Sequence, residues 1–260
     1  MAAIIPVRAF TDNYIWVLRE GSQAAVVDPG DAQPVLDYVE REGLTICAIL
    51  ATHHHRDHVG GVSPLAERFG APVYGPARES IPARTRALAE GDTVDVPGIR
   101  AAFRVLDIPG HTSGHIAFAG RVDGTPVVFC GDTLFAAGCG KLFEGTPVQM
   151  WDSLGKLAAL PAETSVYCGH EYTLANLRFA AAVEPGNRLI AQRVERERDK
   201  RERGLPTLPS TIGEELATNP FLRPSVPAVR AAAEGQAGRA LTDDVAVFAA
   251  LRAWKNGFAG

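Results

Sequence analysis

The sequence lacks several features that would place it outside the ordinary cytosolic proteins. Its four cysteines have no CxxC spacing and no secreted disulfide pattern, so we expect free thiols in a reducing compartment. No segment approaches the ~20 consecutive apolar residues of a membrane-spanning helix. Residues 1–7 have neither the basic residues nor the apolar length of a signal peptide. We therefore expect a cytoplasmic protein with no membrane partner.

An excess of positive charge is also absent. The chain has 26 lysines and arginines against 30 acidic residues, which gives a net charge of -4. This balance argues against a nucleic-acid-binding protein with a generally basic surface, although a local group of cations could still bind a small anion. With 260 residues, of which 46% are hydrophobic and 22% charged, the chain can form one large domain or a main domain with a smaller attachment.

Histidine is scarce, and its distribution is uneven. All seven histidines lie in three short segments, which are Thr52–His58, Pro109–His115 and Cys168–Glu171. A Gly131-Asp132-Thr133 turn follows an apolar run between the last two segments. Because neutral imidazole is the commonest metal ligand in proteins, this clustering predicts one metal centre with ligands from all three segments.

Apolar periodicity predicts that these segments follow strands. The expected strands cover residues 15–18, 24–28, 48–51, 72–74, 99–108, 115–119, 126–130 and 165–167. Expected helices run from an Asp31 cap to about Glu42, over Val62–Phe69 and over Val148–Leu157. After residue 173 the pattern becomes helical, with segments at 174–183, 187–203, after a Thr211 cap, and 243–257. We predict one domain at 1–172 and a helical domain at 173–260, with the charged run 193–203 facing solvent.

The spacing of the first histidine segment suits two ions. Side chains alternate in an extended chain, so His53 and His55 point the same way, and Asp57 and His58 begin the next turn. The interpretation assigns His53, His55 and His111 to one ion, and Asp57, His58 and His170 to the other. Asp132 bridges both, which leaves room for a shared water.

Nitrogen and oxygen donors of this kind suit divalent zinc, with iron or manganese as alternatives. Core or capping histidines, or one structural metal site, are the competing interpretations of the cluster. His54 and His115 are expected to support the ligands by hydrogen bonding rather than to bind metal. Cys168, two residues before His170, is a further conceivable ligand.

The motif His53-x-His55-x-Asp57-His58 resembles that of the metallo-β-lactamase superfamily. The resemblance implies an α+β fold, a four-layer αββα sandwich with two metals at one edge of the sheets, followed here by a C-terminal α-helical domain. Further stretches resemble the glyoxalase II family, the hydroxyacylglutathione hydrolases; they are Gly131–Phe135, Gly138–Lys141, Gly169–Thr173, Val183–Asn187 and Asn219–Arg223.

That family resemblance implies an enzyme that hydrolyses S-D-lactoylglutathione and related 2-hydroxyacylglutathione thioesters, the second step of methylglyoxal detoxification. The nucleophile is a hydroxide that bridges the two metals, with Asp132 holding it and Asp57 orienting it. The resemblance also implies substrate-binding residues, which are Lys141, Phe143, Tyr172, Arg252 and Lys255. Phe143 departs from the family pattern because many relatives have tyrosine there.

Two other functions compete with this one. A persulfide dioxygenase has a related fold but uses one iron, so it does not need Asp57 and His58 as ligands. A non-catalytic metal-binding or glutathione-sensing module is the second alternative. Without the resemblance, Arg252 and Lys255 would be interpreted as an ordinary solvated helix face. We expect a monomer whose partner is the glutathione thioester.

Overall fold

The histidine segments lie at strand ends in the structure, a computed structural model that describes residues 1–258. The strands are β1 Ala3–Ala9, β2 Asn13–Glu20, β3 Gln23–Val27, β4 Thr45–Leu50, β5 Val73–Pro76, β6 Arg86–Leu88, β7 Thr93–Asp95, β8 Ala101–Asp107, β9 Ile116–Val122, β10 Thr125–Gly131, β11 Leu134–Phe135, β12 Gly138–Cys139, β13 Ser165–Cys168 and β14 Ser210–Thr211. The helices are α1 Ala32–Glu42, α2 Arg56–Val59, α3 Val62–Phe69, α4 Pro147–Ala158, α5 Thr173–Val183, α6 Arg188–Glu202, α7 Ile212–Thr218, α8 Pro227–Ala237 and α9 Asp244–Asn256, with a 3₁₀ turn at Pro220–Leu222.

Two six-stranded mixed sheets form the centre of the fold. The first has the order β1-β2-β3-β4-β5-β6 and is antiparallel as far as β3, then parallel. The second has the order β14-β13-β10-β9-β8-β7, in which only β10 and β13 are parallel neighbours. Because β4, β10 and β13 end at the same edge, the loops that follow them can converge there.

Alternating side chains of β2 show how the layers stack. Trp16 belongs to the apolar core between the sheets, where its ring meets that of Tyr167 edge-on at 4.8 Å. Its indole N–H donates to the carbonyl of Cys168 in the other sheet at 2.9 Å. Ile15 and Val17 point the opposite way, into a core shared with α1 and α3. Since β2 is buried on both faces, it lies in an inner layer, and the predicted αββα sandwich is confirmed.

Local signals fixed several helix ends as predicted. Asp31 caps α1 by accepting the backbone N–H of Gln33, and Gly43 ends that helix at a φ of 64°. Thr211 likewise caps α7 by accepting the N–H of Glu214. Both caps satisfy donors that the first helical turn leaves without partners.

The C-terminal helices hold the short hairpin of β11 and β12, which follows the Asp132 turn. Side chains from these helices, and from Asn219 directly after α7, bond to five groups of its backbone. These are Glu215 to the N–H of Ala137, Asn219 to the carbonyls of Phe135 and Gly138, Asn176 to that of Ala136, and Arg252 to that of Cys139. The helical region therefore provides hydrogen-bond partners for backbone groups of this buried hairpin that neither sheet pairs.

Some predictions were incomplete or wrong. Several elements were not predicted because they are short or carry no clear apolar period; they are β1, β6, β7, β14, the β11–β12 hairpin, α2 and α8. The expectation that the run 193–203 faces solvent is wrong at Arg193 and Glu197, which are 1% and 2% exposed. The Arg193 guanidinium lies 2.6 Å from a carboxylate oxygen of the fully buried Glu215, which belongs to α7. The alternating charges of the run 193–203 do not indicate that a residue of another helix is the partner.

Within residues 1–258, no helix is both long and apolar enough to cross a membrane. The four cysteines are free, as predicted. The division into domains at 1–172 and 173–260 stays a prediction, and the small strand β14 shows that the later residues also extend the second sheet.

Removing the Glu215 carboxylate should destabilise the fold strongly. Glu215→Ala leaves the Arg193 charge and the Ala137 N–H buried without their main partner. We expect a loss of about 3 kcal/mol in the free energy of unfolding, the lower end of the usual range, because Glu214 remains 3.3 Å from Arg193. Urea unfolding measures this difference. Glu195→Ala on α6, where the side chain is 73% exposed, is the control and should change stability by less than ~0.5 kcal/mol. Equal losses in the two variants would contradict the importance of the buried pair.

Candidate metal centre

Five segments meet at the edge where β4, β10 and β13 end. His53 and His55 follow β4, while His58 lies in the short helix α2. His111 lies between β8 and β9, and Asp132 follows β10. His170 follows β13 and forms an isolated bridge with Asn13 of the first sheet, which closes the edge.

The first group of donors is His53, His55 and His111. One nitrogen from each ring lies within 4.8 Å of the others. Nδ1 of His55 and Nε2 of His111 are 3.0 Å apart. These distances would let three imidazoles bind one ion, as the sequence predicts.

The second group is Asp57, His58 and His170. Nε2 of His58 lies 3.3 Å from Nε2 of His170. Oδ2 of Asp57 is 3.6 Å from the first nitrogen and 3.4 Å from the second. This group has the donors for a second ion beside the first.

Asp132 lies between the two groups. Its Oδ1 is 3.3 Å from Nε2 of His58, and its Oδ2 is 3.3 Å from Nε2 of His170. The same Oδ2 is 3.5 Å from Nε2 of His111, which belongs to the first group. One carboxylate thus contacts both groups, the geometry that a bridging ligand requires.

Hydrogen bonds to the far side of each ring fix which nitrogen carries a lone pair. Nδ1–H of His58 donates to Oδ2 of Asp28 at 3.1 Å, and Nδ1–H of His170 donates to Oδ1 of Asp12 at 2.8 Å. Both Nε2 atoms therefore carry lone pairs in the neutral rings, yet they face each other at 3.3 Å. Two lone pairs at that separation repel unless a cation lies between them.

Orphaned polar atoms provide a second test of whether the site fits metal ions. Nε2 of His53 and Oδ1 of Asp132 are buried and have no hydrogen-bond partner among the described residues. The other ring nitrogen of His53 donates to Oγ1 of Thr52, which in turn donates to Asp28. Because unpaired buried polar atoms are costly, two acceptors aimed at one space indicate a bound cation.

The electrostatics of the cluster also concentrate positive charge between the donors. Burial opposes a charge on His58, but Asp132 and Asp28 outweigh it and raise the pKa of the ring well above its usual value. Burial opposes the charge on Asp132 as well, but His58 and His170 outweigh it and hold the pKa of the carboxyl well below its usual value. The space between the donors therefore attracts positive charge, either as a proton on His58 or as a bound cation. Burial lowers the pKa of the His53 ring well below its usual value, with neighbouring histidines adding to the effect. A charged carboxylate beside a neutral imidazole is the protonation state in which both can bind a metal ion.

Three supporting residues were missed from the sequence, namely Asp12, Asn13 and Asp28. Asn13 donates to Oδ2 of Asp57 at 3.0 Å. Asp28 also lies close enough to His53 and His58 to form a donor group. Its oxygens, however, already accept the N–H and hydroxyl of Thr52 at 2.7 Å each. The position of Asp28 directly after a buried strand could have indicated a residue of the site. Nothing in the sequence of the β1–β2 turn indicated Asp12.

His115 has the supporting contact expected of it, whereas the hydrogen bond of His54 goes to Glu79 and not to a donor residue. His54 is partly exposed, and its Nδ1 lies 3.0 Å from Oε2 of Glu79. His115 is fully buried, stacks on His53 at 4.5 Å and accepts the backbone N–H of Asp132 at 3.2 Å. The thiol of Cys168 lies 3.7 Å from the carbonyl of His170 and is in neither donor group.

A cavity of about 350 Å³ opens beside the donors. His111 and Asp132 form part of its wall, and so do all five predicted substrate-binding residues, which are Lys141, Phe143, Tyr172, Arg252 and Lys255. The C-terminal helix α9 thus places cations at the metal edge. Their assignment to substrate binding stays a prediction.

The cavity residues are positioned in different ways. Tyr172 stacks on His170 with ring centroids 4.7 Å apart, and Phe143 meets His111 edge-on at 5.2 Å. Arg252 is only 5% exposed, and donates to the carbonyl of Cys139 at 2.7 Å. Lys255 donates to the carbonyl of Ala175 at 3.0 Å. The interpretation of Arg252 as part of a solvated helix face is therefore wrong.

Comparison with known proteins agrees with this architecture. Residues 9–170 match the family model described as the metallo-beta-lactamase superfamily. Residues 171–258 match a second model, described as the hydroxyacylglutathione hydrolase C-terminus. The sandwich and its histidine-rich edge therefore define a protein of the metallo-β-lactamase superfamily, a fold whose His and Asp clusters indicate divalent metal ions.

Relatives identify the family more narrowly. The hydroxyacylglutathione hydrolase of Nitrosomonas europaea is 54% identical and covers 100% of this chain and 98% of its own. That of Alkalilimnicola ehrlichii is 57% identical over 98% of this chain and 99% of its own. The chain belongs to the hydroxyacylglutathione hydrolase family.

Solved structures share the fold at lower identity. The crystal structure of ETHE1 from Myxococcus xanthus has a TM-score of 0.63 and 27% identity, covering 85% of this chain and 84% of that one. TTHA1623, solved in a di-iron-bound form, has a TM-score of 0.58 and 31% identity, covering 84% of this chain and 100% of that one.

Asp28 should control metal affinity through the orientation of His58. We expect Asp28→Asn to lower metal affinity roughly 10- to 100-fold, because the acceptor of the His58 ring proton loses its charge. Asparagine is the suitable replacement, since position 28 has a φ of 52° that asparagine tolerates better than alanine. Competition with a chromophoric chelator measures the affinity. Asp37→Asn on α1, whose exposed carboxylate accepts the side-chain amide of Gln33, is the matched control. Unchanged affinity in the Asp28 variant would refute the role.

Proposed function

We propose that the protein hydrolyses S-D-lactoylglutathione, and other 2-hydroxyacylglutathione thioesters, to a 2-hydroxy acid and glutathione. This reaction is the second step of methylglyoxal detoxification. One observation supports it above the others: His111 and Asp132 of the donor cluster line the same cavity as Lys141, Arg252 and Lys255. A reacting carbonyl at the donors and an anionic tripeptide at the cations would occupy adjacent parts of that cavity.

In this proposal His53, His55 and His111 hold one ion, Asp57, His58 and His170 hold the other, and Asp132 contacts both. When bound, two divalent ions supply an activated water and positive charge that polarises the thioester carbonyl. Zinc is the proposed metal, with iron or manganese as alternatives, and the di-iron form of TTHA1623 supports a pair of ions. The complete second group disfavours a one-iron persulfide dioxygenase, which would not need Asp57 and His58.

Asp57 is the proposed catalytic carboxylate that orients the nucleophilic water and accepts its proton. Burial raises the pKa of this group, but His58 and the hydrogen bond from Asn13 outweigh it and lower the pKa overall. The side chain is 44% exposed, so water can reach it. The departing glutathione thiolate has a conjugate-acid pKa near ~8.5, so it leaves without a general acid.

Cations of the cavity would bind the carboxylates of the glutathione part. Lys141 is exposed at the rim, and Lys255 and Arg252 lie one helical turn apart on α9. Tyr172 offers a hydroxyl above the ring of His170, while Phe143 adds only an apolar face. We also propose a cytoplasmic monomer with a catalytic domain at 1–172 and a helical substrate-binding domain at 173–260.

The direct test combines metal analysis with a thioesterase assay. Purified protein should contain two ions per chain and remove the thioester absorbance of S-D-lactoylglutathione. Asp132→Ala should lose metal and activity together, because both donor groups lose their shared carboxylate. Protein that holds two ions but does not hydrolyse the thioester would contradict the proposal and favour the non-catalytic module. Oxygen uptake with glutathione persulfide would favour the dioxygenase.

Substrate affinity should weaken above a pH of about 8, because Lys255 loses its positive charge there. Burial, with Arg252 and Arg178 nearby, lowers the pKa of its ammonium group to about 8, against which Cys139 acts weakly. The side chain is therefore cationic below that pH and neutral above it. We expect KM to rise between pH 7 and pH 9 in the wild type, while kcat changes much less.

Two substitutions separate this effect from other titrations. Lys255→Arg keeps the charge at every pH tested and should remove the rise in KM. Lys255→Met should raise KM roughly tenfold at pH 7, about the effect of losing one charged hydrogen bond. Lys156→Met is the control and should leave KM unchanged. Lys156 pairs with Glu90 and does not line the cavity. An identical pH profile in Lys255→Arg and wild type would refute the assignment.

A further inference from the structure

Glu79 is a buried carboxylate close to the first donor group, and the proposed reaction does not use it. Only 2% of its side chain is exposed. It lies between β5 and β6 of the first sheet, where Arg84 donates to its carbonyl at 2.6 Å and also to that of Pro76. Because a buried carboxylate is costly unless donors surround it, the groups that bond to its oxygens show which segments it joins.

The two carboxylate oxygens of Glu79 bond to two different segments. Oε1 accepts the hydroxyl of Thr112 and, at 3.0 Å, the backbone N–H of Gly114. Both donors belong to the loop 108–115 between β8 and β9, which we call the His111 loop. Oε2 lies 3.0 Å from Nδ1 of His54, which follows β4. One side chain therefore joins the two segments that supply the first donor group.

The His111 loop packs closely on Glu79 as well as bonding to it. A Cβ atom on Gly114 would lie 2.6 Å from Cγ of Glu79 and 2.9 Å from Cβ of Arg78. Side chains do not approach so closely without moving, so glycine at this position lets the loop backbone reach the carboxylate. Thr112 is fully buried, and Glu79 is the acceptor of its hydroxyl.

A second carboxylate, that of Glu144, contacts the same loop. Its Oε2 accepts the backbone N–H of Ser113 at 2.8 Å, and its Oε1 lies 3.4 Å from Nε2 of His54. The imidazole of His54 thus has a carboxylate at each ring nitrogen, and each carboxylate also accepts a proton from the His111 loop. Glu144 is 37% exposed, so water can replace it more easily than it can replace Glu79.

From these contacts we infer that Glu79 is a positioning residue, which holds the His111 loop at the distance from His55 that one ion requires. Nδ1 of His55 and Nε2 of His111 are 3.0 Å apart, although their segments follow strands of different sheets. A ligand group that is held in place before it binds loses less conformational entropy on binding, which raises its affinity. The inference rests on the two-ion centre of the proposed function.

Removing the carboxylate should weaken one ion more than the other. We expect Glu79→Ala to lower the zinc affinity of the first donor group roughly tenfold or more, the usual effect of losing a residue that orients a metal ligand. The second group should change much less, because it takes no ligand from the His111 loop. Competition with a chromophoric chelator gives the two affinities. Since the chain has only seven histidines, NMR spectra of the ring nitrogens can show that His55 and His111 release zinc first.

Two matched variants separate hydrogen bonding from the loss of a charge. Glu79→Gln keeps an oxygen for Thr112 and Gly114, and its amide can donate to Nδ1 of His54 once the ring proton moves to Nε2. It should therefore restore most of the zinc affinity that the alanine variant loses. Glu67→Ala removes an exposed carboxylate from α3 and should leave both affinities unchanged.

Glu144→Ala guards against a folding defect in the alanine variant at position 79. It leaves the buried contacts of the His111 loop in place, so it should weaken the first ion in the same direction by a smaller factor. Hydrogen exchange of the metal-free protein is a readout that needs no ion. The amide of Gly114 should exchange faster in Glu79→Ala than in wild type, whereas the amides of β13 should not change.

Three results would overturn the inference. These are a first ion that binds Glu79→Ala as tightly as wild type, equal weakening of both ions in that variant, and equal losses in Glu79→Ala and Glu79→Gln. The second result would indicate a general structural effect, and the third an effect of charge alone. Wild-type protein that binds a single ion would instead contradict the two-ion proposal. The exchange of the Gly114 amide would then still decide whether Glu79 holds the loop.

Discussion

The structure depends on one electrostatic constraint, which is the convergence of lone pairs and carboxylate oxygens on a small space at the edge of two sheets. Nε2 of His58 and of His170 face each other, and Asp132 contacts both. Without positive charge in that space, each buried acceptor would be unpaired or would have to take a proton. The hydrogen bonds from the outer nitrogens to Asp28 and Asp12 strengthen the constraint, because they keep the inner nitrogens free to bind.

The same constraint explains why the chain needs its helical region. Asp132 is followed by a tight hairpin whose backbone groups the sheets do not satisfy. Glu215, Asn219 and Arg252 provide those partners from three later elements. Arg252 also lines the cavity beside the donors, so one buried guanidinium connects the hairpin after Asp132 to the proposed binding surface. Fold stability and the proposed substrate binding would therefore share residues rather than occupy separate parts of the molecule.

The sequence predicted most strands and the donor groups because both depend on local patterns, whereas the four-layer arrangement followed from the family resemblance. Strand ends are marked by apolar runs, and a His-x-His-x-Asp-His segment limits where its side chains can point. The supporting residues do not follow from such patterns. Asp12 meets His170 across 158 positions of sequence, and only the pairing of the two sheets brings them together. The prediction that Arg193 and Glu197 face solvent was wrong for a related reason. A helix of mixed charge has the same sequence pattern whether water or another helix lies beside it.

Phe143 illustrates how such a site can lose a hydrogen-bonding group and keep its shape. Its ring meets those of His55 and His111 edge-on at 5.6 and 5.2 Å, contacts that depend on the aromatic face and not on a hydroxyl. The side chain therefore still covers the imidazoles of the first donor group on their open side. A tyrosine there would add one substrate contact at the rim, where water competes and the net gain from a hydrogen bond is small, about 1 kcal/mol. Under the proposed function, phenylalanine at this position should therefore weaken affinity for the substrate more than it changes the chemistry at the donors.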